Sequence, residues 1–462
     1  MHIGFVVDHP KRDLQGAIML AHALVQRGHR ASIIPLYEQA VDVPLLGLDA
    51  LIVNYARPAN FDLVQGYVDM GLPVFVLDTE GGVLAEDGAN APDELAAYIR
   101  NSGYAELLAG YLFWGSRLRQ AFVDGSGMLA ENLHATGCPR FDYASPRWRD
   151  VLDFPRCDYI LVNANFPLVN PLFVSNPEEE KKTLTKAGWK VEYVDKLLAD
   201  QRDILHNFLS TVNELAAHFP DRTFLVRPHP FENPDLYREI FAAQPNVIVD
   251  GQGSVLNVIR HADCVLHLNC GTSVEATMLG RLPISLEFLN TQHMARHSTL
   301  PSRISLRAES VEMVAAVLEH LSEAVSAFDF DGNYRQFIHP WFHENDGAAG
   351  ERVVEAVGAT LARRGHGGGR VSVARSLASS RRNSRPAQYL QSALANLLGS
   401  RATSALRAMA APARREKQIL PTAVQAQLAL LAGHAGTRLP RVRRASHPWT
   451  GLPLVTLTVS PS

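Results

Sequence analysis

The sequence predicts an α/β protein made of two successive layers of parallel strands. Two observations carry this. Short apolar runs alternate with helical patterns through residues 2–136, and the alternation resumes at residue 158 after a proline-rich stretch. Polar clusters also follow the apolar runs, where open parallel sheets place their ligands. The chain has 462 residues, 47% of them hydrophobic, which suits two or three domains with real cores.

The elements follow in order. Residues 2–8 (HIGFVVD) read as a strand, residues 14–26 as a helix stopped by Gly28, and residues 31–36 as a second strand. Strands are expected at 50–54, 73–78, 111–115 and 132–136, with helices at 61–70 and 116–123. Pro139, Pro146 and Pro155 mark the crossing between domains. A new layer opens at 158–164, with later strands at 223–227, 247–250, 264–268 and 282–286 and an amphipathic helix at 205–219. Segment 174–190 is charged and reads as a surface insertion. Residues 347–362 read as a last helix, rich in Val and Ala.

The composition then changes. Residues 361–462 hold sixteen Lys and Arg against one acid, Glu416, so an acidic body carries a basic tail. The tail reads as a poor core former, with helical character only at 389–398 and 423–432, and flexibility is expected. The domains expected are therefore 1–150, an N-terminal Rossmann-like acceptor-side domain; 151–362, a C-terminal Rossmann-like nucleotide-binding domain; and 363–462, a basic low-complexity tail.

Cys138, Cys157, Cys264 and Cys270 lack CxxC spacing and read as small reduced thiols. There is no cationic leader and no apolar run of about 18 residues, so a cytoplasmic protein is expected. GxGxxG and GxxxxGK[ST] are both missing, which removes NAD and P-loop readings at their defining residues.

Three clusters can carry chemistry. Asp78-Thr79-Glu80-Gly81-Gly82 follows the run VFVL; its glycines permit a tight turn and close approach, and a carboxylate there can take a proton from a hydroxyl. Arg227-Pro228-His229-Pro230 follows TFLV; the prolines fix the backbone around His229, and Arg227 offers a fork of donors to a phosphate. Asn269-Cys270-Gly271-Thr272-Ser273 follows CVLHL and precedes a helix, so Gly271, Thr272 and Ser273 suit either an ordinary cap or an anion site. Glu275 lies in the first turn and could hold ribose hydroxyls. Asp329-Phe330-Asp331 is a lone DxD without a preceding strand, and reads as a polar loop. His2, His9, His22 and His29 lack ligand spacing. No metal and no cofactor are expected.

Residues 137–142 (GCPRFD), 158–166 (DYILVNANF), the opening strand and helix, the EGG turn and the stretch 346–353 together resemble the bacterial and archaeal surface carbohydrate biosynthesis proteins. The resemblance spans about residues 1–362 and leaves out the tail. The EGG turn, the RPHP segment and the Thr-Ser pair also resemble three motifs of bacterial sialyltransferases and Kdo transferases. Those enzymes use CMP-activated nonulosonic or ulosonic acids on a GT-B fold, in which two Rossmann-like domains face across a cleft.

The resemblance implies a glycosyltransferase with a nucleotide-sugar donor and a glycan or lipid-linked glycan acceptor. Glu80 would be the base, with Asp78 beside it, and His229, Thr272 and Ser273 would contact the phosphate. Thr79 stands where that motif has a second acid. Three rival readings are a CDP-glycerol glycerophosphotransferase, a UDP-sugar 2-epimerase and a non-catalytic nucleotide- or glycan-binding scaffold. The Arg clusters at 381–385, 414–417 and 441–444 would let the tail meet an anionic membrane surface. No nucleic acid is expected, because no aromatics interleave with the basic residues.

Overall fold

The computed structural model describes residues 1–81, 91–173, 179, 181–182, 185, 190–295, 299–365 and 417–462. The chain divides into two compact units. Among the described residues the first takes in 1–81, 91–151, 340–365 and 417–462, and the second takes in 152–173, 190–295 and 299–339.

The first unit is built on strands β1 (His2–Val7), β2 (Arg30–Pro35), β3 (Ala50–Val53), β4 (Val74–Leu77), β5 (Gly110–Phe113) and β6 (Leu133–Ala135). These run parallel in the order β2-β1-β3-β4-β5-β6. Every residue of β1 is buried, as expected of a central parallel strand covered on both faces. The helix Pro10–Gln26 starts with proline at its first position and His9 as N-cap, and ends before Gly28, whose φ of 74° suits glycine.

The last part of the chain departs from the expectation. A flexible tail from residue 363 does not describe residues 417–462, which fold onto the first unit. The helix Pro421–His434 buries Val424, Leu428 and Leu431 and packs against the helix Pro10–Gln26. Strands β13 (Arg441–Ser446) and β14 (Pro453–Ser460) form a hairpin. Strand β14 pairs antiparallel with β2, setting Leu457 opposite Ile33, and extends the sheet to eight strands. The physical reason is local. PLVTLTVS alternates apolar and polar side chains, and Leu454, Leu457 and Val459 are fully buried.

The helix Ala349–Arg363 is a second correction. The expected boundaries put it in the nucleotide-binding domain, whereas it packs on the helix Pro10–Gln26 in the first unit. The buried carboxylate of Asp142 accepts from Ala349 N and Gly350 N, each at 2.9 Å, and so caps that helix from a distant segment.

The second unit carries β7 (Tyr159–Asn163), β8 (Thr223–Arg227), β9 (Val247–Val249), β10 (Cys264–His267), β11 (Leu282–Leu286) and β12 (Leu306–Ala308). All are parallel, in the order β12-β11-β10-β7-β8-β9. The amphipathic helix begins earlier than expected and runs from Val191 to His218. Its Phe208 and Val212 pack with Ile160, Phe224, Leu266 and Ile284 in the core. Among the described residues no helix is long and apolar enough to cross a membrane.

Strand order reverses between β1 and β3 in the first unit, and between β7 and β10 in the second. Such reversals leave a crevice beyond the carboxyl ends of the strands. If β14 is part of the folded core, Leu457→Ala should destabilise the first unit by about 2–4 kcal/mol, the usual cost of truncating a buried leucine. Urea unfolding followed by circular dichroism measures this, and an unchanged midpoint would return residues 417–462 to the status of a tail.

Candidate functional site

In the first unit the crevice between β1 and β3 holds a cavity of about 70 Å³, bordered by the ends of β1, β3 and β4 and by the helix Pro10–Gln26. The first sequence cluster lies here. Asp78 is 5% exposed, and both its oxygens are occupied. Oδ1 accepts from Glu80 N at 3.0 Å, while Oδ2 meets Arg57 Nη2 at 3.0 Å and the Tyr111 hydroxyl at 3.3 Å. Burial of Arg57 opposes its charge, but Asp78, Tyr111 and Glu80 together outweigh that and raise its pKa. Burial, helped by the Asp78 charge, lifts the Tyr111 phenol well above its usual range and keeps it a hydrogen-bond donor. Asp78 therefore shapes the turn that presents Glu80.

Glu80 itself points outward, with 70% of its side chain exposed and Arg12 Nη1 at 3.5 Å. Arg12 also binds Asp8 at 2.9 Å and Asp13 at 2.7 Å. Gly81 sits against Trp114: a methyl group there would lie 3.3 Å from Cδ1 and 3.4 Å from Nε1 of the indole. Gly82 lies outside the described residues. Lys417, from the C-terminal segment, places Nζ 2.7 Å from Asp8 Oδ1. Burial alone would raise the pKa of Asp8, but Lys417 and Arg12 lower it. Sequence reading pointed to none of Asp8, Arg12, Arg57, Tyr111 or Lys417, because their contacts join distant segments.

In the second unit the switch point gathers parts of the other two clusters. Asn163, at the end of β7, donates to Thr272 Oγ1 at 2.8 Å, which ties together the two strands that flank the crevice. Thr272 donates in turn to Cys270 Sγ at 3.1 Å. Asn269 takes a left-handed φ of 48°, which asparagine tolerates better than most residues. Its side chain forms a reciprocal amide pair with Asn290, at 2.9 and 3.2 Å. Gly271 has ordinary helical geometry. Ser273 turns inward: it is fully buried and its hydroxyl donates back to Cys270 O, just before its own helix. Glu275 is also buried, at 5% exposure.

Arg227 and His229 divide similarly. Arg227 is 6% exposed, and its Nη1 and Nη2 donate to Gln252 O and Gly253 O, each at 2.6 Å. Burial lowers its pKa to about 10. Its fork thus grips the loop after β9. His229 stays partly exposed at the end of β8, and its Nδ1 accepts from Phe231 N at 3.3 Å. That leaves the proton on Nε2, so the ring presents a donor there. Glu232, which sequence reading missed, holds this loop. It is 2% exposed and accepts from Phe166 N at 2.5 Å, His229 N at 2.6 Å and the Tyr237 hydroxyl at 3.0 Å. Burial nevertheless pushes its pKa up to about 7.

The weaker features resolve as ordinary structure. Asp329 caps a helix by accepting from Gly332 N at 2.8 Å. His2 bonds Ser32, His22 packs on Trp148, and His29 meets the amino terminus. No group of His, Cys, Asp and Glu suited to a metal ion occurs among the described residues. The four cysteines are free thiols.

The two sheets define the class of the protein: α/β, with two Rossmann-like units, as the sequence predicts. No family model and no curated protein matches the chain. Solved structures are similar to it. The UDP-GlcNAc 2-epimerase of Methanocaldococcus jannaschii, in complex with UDP-GlcNAc and UDP, is 12% identical with a TM-score of 0.49, covering 78% of this chain and 100% of its own. A putative UDP-N-acetylglucosamine 2-epimerase from Listeria monocytogenes is 11% identical with a TM-score of 0.49, covering 78% and 97%. A variant of the wall teichoic acid polymerase TagF is 11% identical with a TM-score of 0.49, covering 79% and 89%. These likenesses concern the fold and assign no residue a role.

Glu232 generates a pH prediction. Its folded pKa is raised from 4.5 to about 7, so the folded state holds the proton to higher pH than the unfolded chain. The stabilisation is complete below pH 4.5 and is lost as pH rises through about 7. Asp142, also raised to about 7 by burial, adds to the same slope. Glu232→Gln should flatten the fall in stability across this window without abolishing it, as read from urea midpoints at several pH values. An unaltered slope would show that Glu232 does not titrate there.

Proposed function

We propose that the chain is a glycosyltransferase of GT-B type in surface-polysaccharide biosynthesis. It would move a sugar from a nucleotide donor, such as a CMP-activated nonulosonic or ulosonic acid, to a glycan hydroxyl. The observation that most supports this reading is the Asn163–Thr272 bond at the β7/β10 switch point, in the unit whose β8 ends in His229. A crevice with a hydroxyl, an amide and an imidazole donor suits a phosphate.

The chemistry divides between the units. Glu80 takes the proton of the acceptor hydroxyl as that oxygen bonds the anomeric carbon. The bond from that carbon to the phosphate oxygen breaks, and the electron pair leaves with the nucleotide. Nε2–H of His229 and the Thr272 hydroxyl, turned from Cys270 Sγ to the stronger acceptor, stabilise the charge gathering on the departing phosphate. Asp78 positions Glu80, and Arg227 positions the loop after β9. Ser273, Gly271 and Glu275 build the start of the helix that carries Thr272. The groups named here stabilise the leaving charge without calling on a metal ion.

Contact with an anionic membrane surface is part of the same reading. Arg441 and Arg443 stand exposed on β13, the edge strand, while Arg444 donates to Val455 O. The Arg clusters at 381–385 and 414–416 lie outside the described residues.

Glu80→Gln should abolish turnover with nucleotide affinity unchanged. His229→Ala and Thr272→Val should each weaken nucleotide binding by about tenfold, the scale of one charge-assisted hydrogen bond. Calorimetric titration with CMP, CDP and UDP, followed by product analysis, tests both. Glycan from a CMP-sugar supports the proposal. Transfer of glycerol phosphate from CDP-glycerol, epimerisation of a UDP-sugar without acceptor, or full activity of Glu80→Gln would replace it. For the membrane contact, Arg441→Ser with Arg443→Ser should reduce salt-sensitive binding to phosphatidylserine vesicles. Truncation would be a poor test, because it removes β14 from the sheet.

A further inference from the structure

The cavity at the β1/β3 switch point has a chemistry of its own. Its interior is mostly apolar, with Phe5, Val7, Leu20, Ile52 and Leu77 in its walls. Its volume of about 70 Å³ leaves room for a small substituent. Asp13, Gly16, Thr79 and Arg140 border it and are partly exposed, whereas Phe5, Val7 and Ile52 are buried. The cavity therefore runs from a polar rim to a dry interior.

Two buried donors in its wall lack an acceptor among the described residues, the indole N–H of Trp114 and the side-chain amide of Asn54. Trp114 is 2% exposed, and its Nε1–H has no hydrogen-bond acceptor among the described residues. A buried donor left unpaired costs roughly 1–3 kcal/mol, so such a group is expected to meet an acceptor in a bound state. The indole is well held. It packs edge-on against Phe141 and at a tilt against Phe342, with the Arg140 guanidinium over its ring at 5.3 Å. Gly81 lies close to the same edge of the indole, where an added methyl would stand 3.4 Å from Nε1. Two carboxylates, Asp13 and Asp78, complete the wall.

These features select a ligand group by elimination. A carboxylate is disfavoured, because its charge would be desolvated in the apolar interior beside Asp13 and Asp78, with only Arg140 at the rim to offset them. A hydroxymethyl group offers an oxygen but no methyl to fill the dry interior. An acetamido group suits these parts: a methyl for the apolar walls, a carbonyl whose two lone pairs can accept from Trp114 Nε1–H and the Asn54 amide, and an N–H that Asp13 at the rim can accept. We propose that this cavity is the subsite for the 2-acetamido group of an amino sugar, and that Trp114 is the residue that selects it. This rests on the first unit being the sugar side of the transferase proposed above, and it narrows the substrate to 2-acetamido-2-deoxy sugars.

The test uses the full chain and three probes: methyl 2-acetamido-2-deoxyglucoside, methyl glucoside, and the N-butanoyl analogue. Binding is followed through the indole N–H resonances, with that of Trp114 assigned by its loss in Trp114→Phe. The acetamido glycoside should bind about tenfold more tightly than the other two and shift the Trp114 resonance. Trp114→Phe keeps an aromatic ring but removes the N–H; it should lose the preference for acetamido over hydroxyl while binding the glucoside as before. A purely structural Trp114 would change affinity for all probes alike. Equal affinities in the wild type, a Trp114 resonance that does not move, or a preference that survives Trp114→Phe would overturn the proposal. The wild-type comparison needs no variant to fold. CMP and UDP titrations of the same sample separate the two readings: nucleotide binding without acetamido preference removes this subsite and leaves the transferase reading standing.

Discussion

Both candidate sites follow from one topological constraint. When the strand order of a parallel sheet reverses, the loops leaving two adjacent strands diverge, and a crevice opens at their carboxyl ends. The reversals fall between β1 and β3 and between β7 and β10. Every polar group of interest sits within a few residues of such an end. Asp8, Asn54 and Asp78 follow β1, β3 and β4; Asn163, His229 and Thr272 follow β7, β8 and β10. The strands themselves need only be apolar and buried, and they are. Folding thus brings side chains to one place that the sequence keeps far apart.

A second constraint is how the loops at those ends are held. Three buried carboxylates perform similar work. Asp78 accepts the Glu80 amide, Glu232 accepts the amides of Phe166 and His229, and Asp142 accepts those of Ala349 and Gly350. Each converts an irregular segment with unpaired N–H groups into a satisfied one, which a dry interior requires. For Glu232 and Asp142 the strain shows in the proton equilibrium: burial raises both pKa values despite those hydrogen bonds. The geometry around His229 is therefore borrowed from a carboxylate three residues away.

The fold was largely legible, because apolar runs of parallel strands are local signals. The strand-end clusters were legible for the same reason. Which way their side chains turn was not. Arg227 and Ser273 read as ligands for a phosphate, yet one grips two carbonyls and the other donates to the carbonyl of Cys270. Both partners depend on backbone positions that no spacing rule gives. Asn163, Trp114 and Glu232 were passed over since nothing adjacent marks them; Asn163 meets Thr272 and Glu232 meets Phe166 only after folding. The C-terminal segment was misread because composition was averaged over a hundred residues. The alternation in PLVTLTVS was a clear local sign, diluted by the Arg, Ser and Ala before it.

That segment also reaches the first site. Lys417 occupies one oxygen of Asp8, and Arg12 occupies the other while bridging to Asp13 and Glu80. Five charged side chains thus form one connected cluster at the carboxyl end of β1. The strengths within it differ. The Lys417–Asp8 pair is 12% and 17% exposed, so it is little screened, whereas the Arg12–Glu80 pair is long and mostly in water and so contributes little. The buried part fixes Arg12, and the exposed part leaves Glu80 only loosely tethered. In the proposed transfer that looseness lets Glu80 exchange the guanidinium for an acceptor hydroxyl, which a tight pair would prevent, while the fixed arginine still presents the carboxylate.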